Sequence, residues 1–376
     1  MKVLSVIHTP KSPYSAVYLN YRSLVAPFEV AGHALTVLAP EDMPVLRRVH
    51  ARWYPLIYPF LVARRLLRED DVDAVTFHSW SGWVASLLGL CRGRTVTAFH
   101  GLEPLNYAEV REEMARLGQP YRWRFRLVHG VLLPAVMRAS CRRSAMVFCL
   151  NEEERRYLVD HRWSEASRTH VVGHGVGDTY FIDRSYRDRA RRILFVGQWI
   201  PRKGCAYLVR AFDRLARARP DLELRCIGTL ADANTVRGAF AADVRDRVLV
   251  VPQVPHDELV EHYREADVFV FPSLIDGFGL ALLEAMATGL PIVTTPSGWA
   301  QDALAEGRSA LFVPKRDPEA LVRAVERLIG DPALRAALGR GAQAAARAYH
   351  IDRIAGERLA LLTSLASDRT GNPCAS

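Results

Sequence analysis

Residues Phe271–Pro291 read FPSLIDGFGLALLEAMATGLP, and this stretch decides the fold of the second half of the chain. An apolar run ends at Pro272, a turn with Gly277 and Gly279 follows, and an apolar helical pattern begins directly after the turn. A strand that leads through a glycine turn into a helix is the building unit of a parallel α/β sheet. The start of such a helix presents free N–H groups and the positive end of the helix dipole, so it favours an anion such as a diphosphate.

Two carboxylates accompany this turn. Glu284 lies within the predicted helix, where it can face the same cleft and accept hydrogen bonds from ribose hydroxyls, and Asp276 precedes the turn, where it can address a sugar. The alternative is an ordinary strand, turn and helix whose carboxylates are solvated. Both interpretations stay open on this stretch alone.

A second glycine-bounded loop, Val196–Gly204 (VGQWIPRKG), also follows an apolar run and precedes an amphipathic helical pattern. Gly197 lets the backbone approach a ligand, and Lys203 can reach a phosphate from the loop. The chain has 50 lysines and arginines, of which only four are lysines (Lys2, Lys11, Lys203 and Lys315). A lysine next to glycine is therefore less easily explained as an incidental solvated residue, which is the alternative interpretation.

Short apolar runs alternate with longer amphipathic stretches along the whole chain of 376 residues, which predicts parallel sheets flanked by helices. The predicted strands of the first half are Lys2–His8, Leu35–Pro40, Ala74–His78, Arg94–His100, Ala145–Leu150 and Thr169–Gly173. Those of the second half are Arg192–Gly197, Leu222–Gly228, Val248–Val254, Val268–Pro272, Pro291–Thr295 and Ala310–Pro314. The polar segment 175–192 is the candidate hinge between two doubly wound domains.

Taken together, the order and spacing of the two glycine loops over residues 191–348 resemble the carboxy-terminal domain of the retaining glycosyltransferases of family 4. A looser resemblance in the first half covers Thr95–Gly101 and His174–Val176. The resemblance implies the α/β GT-B fold, with two facing Rossmann-like doubly wound domains and a cleft between them. Residues 1–180 would form the acceptor-side domain and residues 181–350 the nucleotide-sugar-binding domain. Residues 351–376 would be a helix, packed on its own domain or back on the first one, and a tail.

The resemblance also implies roles for individual residues. Lys203 would hold the donor diphosphate, Glu284 would bind the ribose, and His100 would lie near the transferred sugar unless it is only a structural histidine at a strand end. The implied donor-binding residues are Gly197, Arg202, Lys203, Gly277, Phe278, Gly279 and Glu284, and the implied catalytic residues are His100 and Asp276.

Three positions depart from the family pattern. Asp276 stands where a glutamate is usual, and Gln198 stands where an arginine is common, a loss for which Arg202 could compensate. The loop after the first strand, 8–13, lacks the glycine pair that relatives often carry. These departures leave a catalytically weak, donor-binding relative as an alternative function.

The expected activity is transfer of a hexose-type sugar, with retained anomeric configuration, from a UDP- or GDP-sugar to a glycan, lipid-linked or lipopolysaccharide-type acceptor in polysaccharide biosynthesis. No metal or other cofactor is expected, because Lys203 and the helix after Gly279 can stabilise the leaving diphosphate. Asp71-Val72-Asp73 matches a metal-binding Asp-x-Asp, but its position predicts a turn between a helix and a strand. A Rossmann oxidoreductase is a weaker alternative, since no Gly-x-Gly-x-x-Gly follows a strand.

The positive charge of the chain is local. The formal net charge is +9, yet two segments without any acid, 43–68 and 114–144, contain thirteen arginines. Both interleave arginines with aromatic residues, which suits solvated amphipathic helices, an anionic membrane surface or, least of all, nucleic acid; we expect no nucleic-acid partner. Six cysteines without a CxxC pair and the absence of a long apolar run predict a cytoplasmic protein, peripheral on the inner face of the membrane if the second interpretation holds.

Overall fold

The computed structural model describes residues 1–50, 53–68, 71–119 and 123–367. The chain divides into two compact units. Unit 1 comprises Met1–Tyr107, Tyr121–Gly175 and Ile351–Ser376, and unit 2 comprises Ala108–Pro120 and Val176–His350. The sequence places residues 108–120 in the first domain, whereas the structure groups them with unit 2.

Unit 1 is built on one parallel sheet of six strands in the order β2-β1-β3-β4-β5-β6. Its strands are short and rich in valine, threonine and phenylalanine, and β3 is buried along its whole length, as expected for a sheet covered on both faces. The strands are β1 (Lys2–Val6), β2 (Ala34–Leu38), β3 (Ala74–His78), β4 (Thr95–Ala98), β5 (Met146–Cys149) and β6 (Thr169–Val171).

Helices cover this sheet and leave its carboxyl edge to loops. They are α1 (Ala16–Ser23), α2 (Val25–Val30), α3 (Tyr54–Leu66), α4 (Trp83–Leu87), α5 (Glu103–Arg116), α6 (Trp123–Leu127), α7 (Leu133–Arg143) and α8 (Glu152–Asp160). A π-helical turn, Val128–Leu132, joins α6 to α7. One core packs α3 against β1, β3 and α4, and another packs α7 and α8 against β5.

Unit 2 repeats the plan with six parallel strands in the order β12-β11-β10-β7-β8-β9. They are β7 (Arg192–Val196), β8 (Glu223–Ile227), β9 (Val248–Val251), β10 (Val268–Phe271), β11 (Ile292–Thr294) and β12 (Leu311–Phe312). Every strand predicted from the apolar runs is present in the structure, and the α/β fold class is confirmed. The second strand of each half flanks the first, which places the first strand of unit 2, β7, between β10 and β8.

Two helices of unit 2 begin at an Asp-Pro pair. Asp317 and Asp331 each precede a proline, and each side chain accepts a hydrogen bond from the third residue after it, Ala320 N (2.8 Å) and Leu334 N (2.9 Å). The helices are α9 (Cys205–Ala218), α10 (Ala233–Gly238), α11 (His256–Glu265), α12 (Leu280–Ala287), α13 (Ala300–Ala303), α14 (Pro318–Gly330) and α15 (Pro332–Ala346). A single large core joins the sheet to α9, α10 and α14.

Ion pairs explain why the second part of α5 groups with unit 2. Glu113 is fully buried, receives a hydrogen bond from Tyr207 Oη (3.0 Å) and lies 3.1 Å from Arg316 Nε. Glu109 is paired with Arg316 and lies 3.6 Å from Lys315 Nζ. The hydrophobic pattern of the helix gives no sign of this charged attachment.

The last helix, α16 (Ile351–Ser367), belongs to unit 1 and packs on α2. Its buried residues include Ile354, Leu359 and Leu362, and its Arg358 is 4% exposed. Of the two positions that the sequence leaves open for this helix, the structure therefore has it on the first domain. Over the residues that the structure describes, we find no helix with the length and apolar content needed to cross a bilayer.

Candidate functional site

The two glycine loops predicted to bind a ligand lie side by side at the carboxyl edge of the unit 2 sheet. The first loop leaves β7 at Gly197 and ends in a 3₁₀ turn, Pro201–Lys203. The second leaves β10 at Pro272. Leu274 N donates to Arg202 O (2.8 Å), so the loops are joined through their backbones although seventy residues separate them. Ligands of open parallel sheets bind at this edge.

Gly204 makes the close approach of the loops possible. It has φ of +73°, and a Cβ atom there would lie 2.0 Å from Pro272 O. A side chain at this position would therefore require both a strained backbone and a displaced loop. The glycine fixes Lys203 immediately against the second loop.

Lys203 and Asp276, which the resemblance assigns to the diphosphate and to the sugar, form an ion pair with each other. Their side chains are only 12% and 14% exposed. Burial lowers the pKa of Lys203, and the adjacent Asp276 carboxylate opposes that effect. The ammonium group also lies 5.2 Å from the centre of the Phe271 ring. The site thus holds a buried cation. Among the described residues, Asp276 is the one acidic residue that forms an ion pair with it.

Gly277, Phe278 and Gly279 form the turn between Asp276 and α12. Gly279 has φ of +77° and is the N-cap of α12, and its carbonyl accepts hydrogen bonds from Leu282 N (2.8 Å) and Leu283 N (3.1 Å). Only the N–H groups that precede Leu282 at the helix start are therefore without a partner of the helix ladder. The Phe278 ring stacks on Trp299 at 4.1 Å between centroids. The neighbouring Gly298 approaches so closely that a Cβ atom there would lie 1.9 Å from Asp276 O. The turn is therefore clamped by the segment that follows β11.

Glu284 is buried beneath this turn, with 5% exposure. Tyr263 Oη lies 2.8 Å from Glu284 Oε2, and His256 Nδ1 lies 3.7 Å from Oε1. Burial raises the pKa of Glu284, and the nearby His256 and the Tyr263 hydrogen bond oppose this effect. The Tyr180 hydroxyl is 3.2 Å from His256 O. Tyr263 thus holds one carboxylate oxygen, and the partner that the structure shows for Oε1 among the described residues is the more distant His256.

Arg202 and Gln198, the two residues considered for contact with the phosphate, lie in different surroundings. Arg202 Nη1 donates to Ile275 O at 3.4 Å, so its side chain supports the loop that carries Asp276. Gln198 is exposed. Gly197 has φ of +152° and donates its N–H to Ile227 O (3.0 Å), which fixes the start of the loop to β8.

His100 lies in unit 1, just beyond the carboxyl end of β4, within a cluster of four histidines. His8, His78 and His174 follow or end β1, β3 and β6, so all four lie at the same edge of that sheet. Burial lowers the pKa of each, to about 4 for His8 and about 3 for His174. The cluster is therefore uncharged at neutral pH.

Sequence reasoning missed the residues that surround the predicted ones. Tyr263 and His256 lie on α11, and only the packing of α11 against α12 brings them to Glu284. The histidine cluster did carry a signal, because Val6-Ile7-His8, Phe77-His78, Phe99-His100 and Gly173-His174 each place a histidine at the end of a predicted strand.

The Asp-x-Asp motif has the structural environment that the sequence predicts for a turn. Asp71 pairs with the Lys2 ammonium, and Asp73 accepts a hydrogen bond from Lys2 N (2.7 Å). Within the described ranges, no group of three or more histidine, cysteine, aspartate or glutamate residues is arranged to hold a metal ion.

Two family models match consecutive parts of the chain. The model described as "Glycosyltransferase Family 4" matches residues 22–179, and the model described as "Glycosyl transferases group 1" matches residues 180–345. The chain belongs to glycosyltransferase family 4. The expected resemblance is thereby confirmed over both halves, including the first half, where the motifs are weaker.

The chain spans about half the length of the first curated relatives that it matches. A D-inositol 3-phosphate glycosyltransferase from Acidothermus cellulolyticus is 37% identical over 219 residues, which is 53% of this chain and 48% of that protein. A GDP-mannose-dependent alpha-(1-6)-phosphatidylinositol monomannoside mannosyltransferase from Mycolicibacterium smegmatis is 33% identical, over 46% of this chain and 47% of its own.

Solved structures share the fold over nearly the whole chain. A sucrose-phosphate synthase from Thermosynechococcus elongatus superimposes with a TM-score of 0.79 at 20% identity and covers 98% of this chain and 99% of its own. The structure of Anabaena HepE in complex with UDP-glucose has the same fold, with a TM-score of 0.71, 14% identity, and coverage of 97% of this chain and 100% of its own. With its two parallel α/β units, the chain has the GT-B fold.

Proposed function

We propose that this family 4 chain is a retaining glycosyltransferase that moves a hexose-type sugar from a UDP- or GDP-sugar to a glycan, lipid-linked or lipopolysaccharide-type acceptor. The observation that carries the proposal is the buried Lys203–Asp276 pair beside the glycine turn that opens α12. A buried cation and a helix start at the carboxyl edge of a parallel sheet form a site for a diphosphate. A neighbouring carboxylate suits the sugar hydroxyls attached to it.

In this proposal each group of the site has one task. The diphosphate takes the place of Asp276 as the partner of Lys203, and the amides of Gly277–Gly279 meet phosphate or sugar oxygens. Asp276 is then released to accept hydrogen bonds from the sugar, and His100 of unit 1 lies near that sugar in this proposal. Glu284 binds the ribose through Oε1, since Tyr263 already holds Oε2.

Catalysis would come from stabilising the leaving diphosphate. Negative charge develops on the phosphate as the glycosidic bond breaks, and a preorganised ammonium and helix start stabilise it better than water does. The acceptor hydroxyl would attack the anomeric carbon from the face that the diphosphate leaves, so that the new C–O bond forms as the bond to the phosphate oxygen breaks and the hydroxyl proton passes to that leaving oxygen; the anomeric configuration is thereby retained. We propose no metal in this step, so EDTA should leave turnover unchanged.

The test is a panel of UDP-, GDP- and ADP-sugars with the purified protein. We expect thermal stabilisation and slow donor hydrolysis with one nucleotide, and retained configuration in the product measured by NMR. Lys203→Met should lower kcat/KM by about 100-fold or more, the scale of a lost transition-state charge contact. Stabilisation by a nucleoside diphosphate without product under varied acceptors would instead support a donor-binding relative. NAD-dependent quenching of fluorescence would support an oxidoreductase.

The proposed acceptor is presented at an anionic membrane surface, because unit 1 exposes apolar and cationic side chains together. On α6 and the π-helical turn, Trp123 is 67% exposed and Val131 is 57% exposed, with Arg124 and Arg126 beside them. On α3, Leu56 and Phe60 are each 56% exposed. Solvated helices rarely expose such large apolar groups together, whereas interfacial helices do. Arg52 and Arg122 lie outside the described residues.

Sedimentation with vesicles containing anionic lipid tests this part. We expect binding at low salt that weakens in a variant with Arg124, Arg126, Arg64 and Arg65 replaced by glutamine, and that also weakens with Trp123→Ser. A matched control replaces four exposed arginines of unit 2, Arg214, Arg217, Arg219 and Arg264. Equal loss in both sets would show only general electrostatics, and no binding by the unaltered protein would refute the membrane proposal.

A further inference from the structure

A continuous hydrogen-bonded chain leads from the interior of unit 1 to His100. Ser5 Oγ on β1 lies 3.3 Å from His78 Nε2, and His78 Nδ1 at the end of β3 lies 2.8 Å from His100 Nε2. Ser5 and His78 lie on the paired strands β1 and β3, and His100 follows β4, which also pairs with β3. Ser5 is 1% exposed and His78 is fully buried.

The hydrogen bonds that link Ser5, His78 and His100 can run in only two directions of donation. A neutral imidazole has one N–H donor and one acceptor nitrogen, and both nitrogens of His78 are occupied. Either Ser5 donates to His78 and His78 donates to His100, which leaves the hydrogen of His100 on Nδ1, or all donors reverse and Nδ1 becomes an acceptor. The orientation of the chain therefore fixes what His100 Nδ1 offers.

His100 Nδ1 is the open end of this chain. It is buried and has no hydrogen-bond partner among the described residues. Leaving a buried polar nitrogen unpaired is unfavourable unless a ligand or water satisfies it. The position of this nitrogen at the carboxyl edge of the unit 1 sheet is where a ligand would reach it.

The groups packed around the hydrogen-bonded histidines, His78 and His100, keep both of them neutral. Arg358 on α16 is 4% exposed; it donates to Tyr21 Oη (2.7 Å) and Gly173 O (3.0 Å), and it disfavours protonation of His78 and His100. Tyr21 contacts the His78 ring edge-on, with centroids 4.3 Å apart. His8 and His174 complete the surroundings of His100, at 6.1 and 5.4 Å between ring centroids. Two charge-neutral directions therefore remain, and in each of them the tautomer of His100 is coupled to that of His78.

We propose that His78 is a positioning residue for the transfer reaction: by holding His100 Nε2 it fixes the ring and its tautomer, so that His100 Nδ1 meets a hydroxyl of the transferred sugar. The inference rests on the proposed function, in which His100 lies near that sugar. No proton needs to leave the chain, because the role of His78 is to orient and polarise the ring of His100.

Three variants of His78 separate positioning from packing. In His78→Asn, the amide can lie near the position of Nδ1 and keep a partner for His100. In His78→Gln, the amide can lie near the position of Nε2 and keep the partner for Ser5. His78→Phe removes both hydrogen bonds while keeping a ring. We expect kcat to fall about 10- to 100-fold in His78→Gln and His78→Phe with little change in the KM for the donor, the scale of a misplaced catalytic group. His78→Asn should recover part of that loss.

A double-mutant cycle and a matched control complete the test. If the two histidines act as one unit, His78→Phe should cost little further activity once His100 is replaced by Phe. Ser86→Ala is the control, because it removes an equally buried hydroxyl contact, to Ser140 (3.2 Å), away from the histidines. Additive losses in the cycle, or equal activity of the Asn, Gln and Phe variants, would overturn the inference.

A second measurement does not depend on activity. Nitrogen-15 NMR of histidine-labelled protein reports which ring nitrogen of His100 carries the hydrogen, and we expect one tautomer in the unaltered protein and a mixture in His78→Phe. An unchanged tautomer would refute positioning by His78. If the unaltered protein transfers no sugar while the tautomer still depends on His78, the proposed function fails and the positioning contact stands.

Discussion

Lys203, which the sequence predicts to contact a ligand, has a partner in the structure that the sequence did not predict. Its position beside Gly204 and its rarity as a lysine predict a ligand contact, and the structure adds that Asp276 neutralises it. Removing one member of a buried ion pair leaves the other charge uncompensated. In our proposal the diphosphate and Asp276 therefore compete for the same ammonium group.

This competition predicts opposite effects of Asp276→Asn on binding and on turnover. The variant should lose about 1–3 kcal/mol of stability without ligand, because a buried lysine is left unpaired. It should then gain a larger thermal shift than the unaltered protein from UDP or GDP, whichever binds. Sugar transfer should fall, because the sugar loses a carboxylate.

Asp276→Glu is the matched control, since it keeps the charge and restores the residue that relatives usually have. It should keep both the basal stability and the nucleotide shift close to those of the unaltered protein. The prediction fails if Asp276→Asn binds the nucleoside diphosphate more weakly than Asp276→Glu in calorimetric titration.

Individual residues also show which parts of the candidate site could not be predicted from the sequence. Lys203, Asp276 and Glu284 could be found because each has a fixed place relative to a glycine turn. Tyr263 could not, because its contact with Glu284 depends on how α11 packs on α12. Side-chain partners on separate helices depend on packing angles that periodicity does not determine.

At the scale of elements, the strands were predictable but most of their carboxyl ends were not; β3, predicted and found at Ala74–His78, is an exception. The predicted strand Lys2–His8 is β1 at Lys2–Val6, because the apolar run continues past the last ladder pair and Ile7 N still donates to Leu38 O (2.8 Å). The π-helical turn Val128–Leu132 has no counterpart in the apolar pattern. Apolar runs record burial, and burial extends beyond regular pairing.

The contact between the two glycine loops predicts a large effect of Gly204→Ala. The new Cβ atom would lie 2.0 Å from a backbone oxygen, at φ of +73°, so both the loop and the torsion must change. We expect unit 2 to lose more than about 2 kcal/mol of stability, from backbone strain and displaced packing together. Urea denaturation followed by a unit 2 probe measures this loss.

Gly238→Ala provides the comparison for that substitution. It lies in α10, has no positive φ, and a Cβ atom there has nothing within 4 Å. Its effect should be neutral or slightly stabilising, since alanine favours helices over glycine. Equal losses for the two variants would contradict the role assigned to Gly204.

At the scale of the whole molecule, four neutral histidines make unit 1 sensitive to acid. Their folded pKa values are lowered by burial, to about 4 for His8 and about 3 for His174. In the unfolded chain a histidine has a pKa of about 6.5, so below that pH the unfolded state binds protons that the folded state does not. Stability is fully present above pH 6.5 and falls as the pH decreases towards 4.

The expected slope is about 1.4 kcal/mol per pH unit for each such histidine between about pH 6.5 and 4. Urea midpoints of unit 1 at several pH values measure it, and the slope should decrease in His8→Gln, which removes one of the four groups. The exposed His161→Gln is the control. A flat profile, or equal slopes in both variants, would contradict the prediction.

At the same scale, the net charge does not show how many arginines are available to bind a ligand. Several arginines serve the interior: Arg335 donates to four backbone carbonyls, and Arg184 donates to the carbonyls of Thr288, Ala266 and Tyr263. Such arginines cannot be distinguished from ligand-binding ones by composition. The sequence could predict where cations accumulate but not which of them the fold uses internally.

The return of α16 to unit 1 has a consequence for biosynthesis. Arg358 and the apolar face of α16 complete unit 1, yet the ribosome makes them only after all of Val176–His350. Unit 2 can therefore close its core while unit 1 still lacks a helix and the cation beside its histidines. The half of the chain that is translated first is thus the half whose fold is completed last.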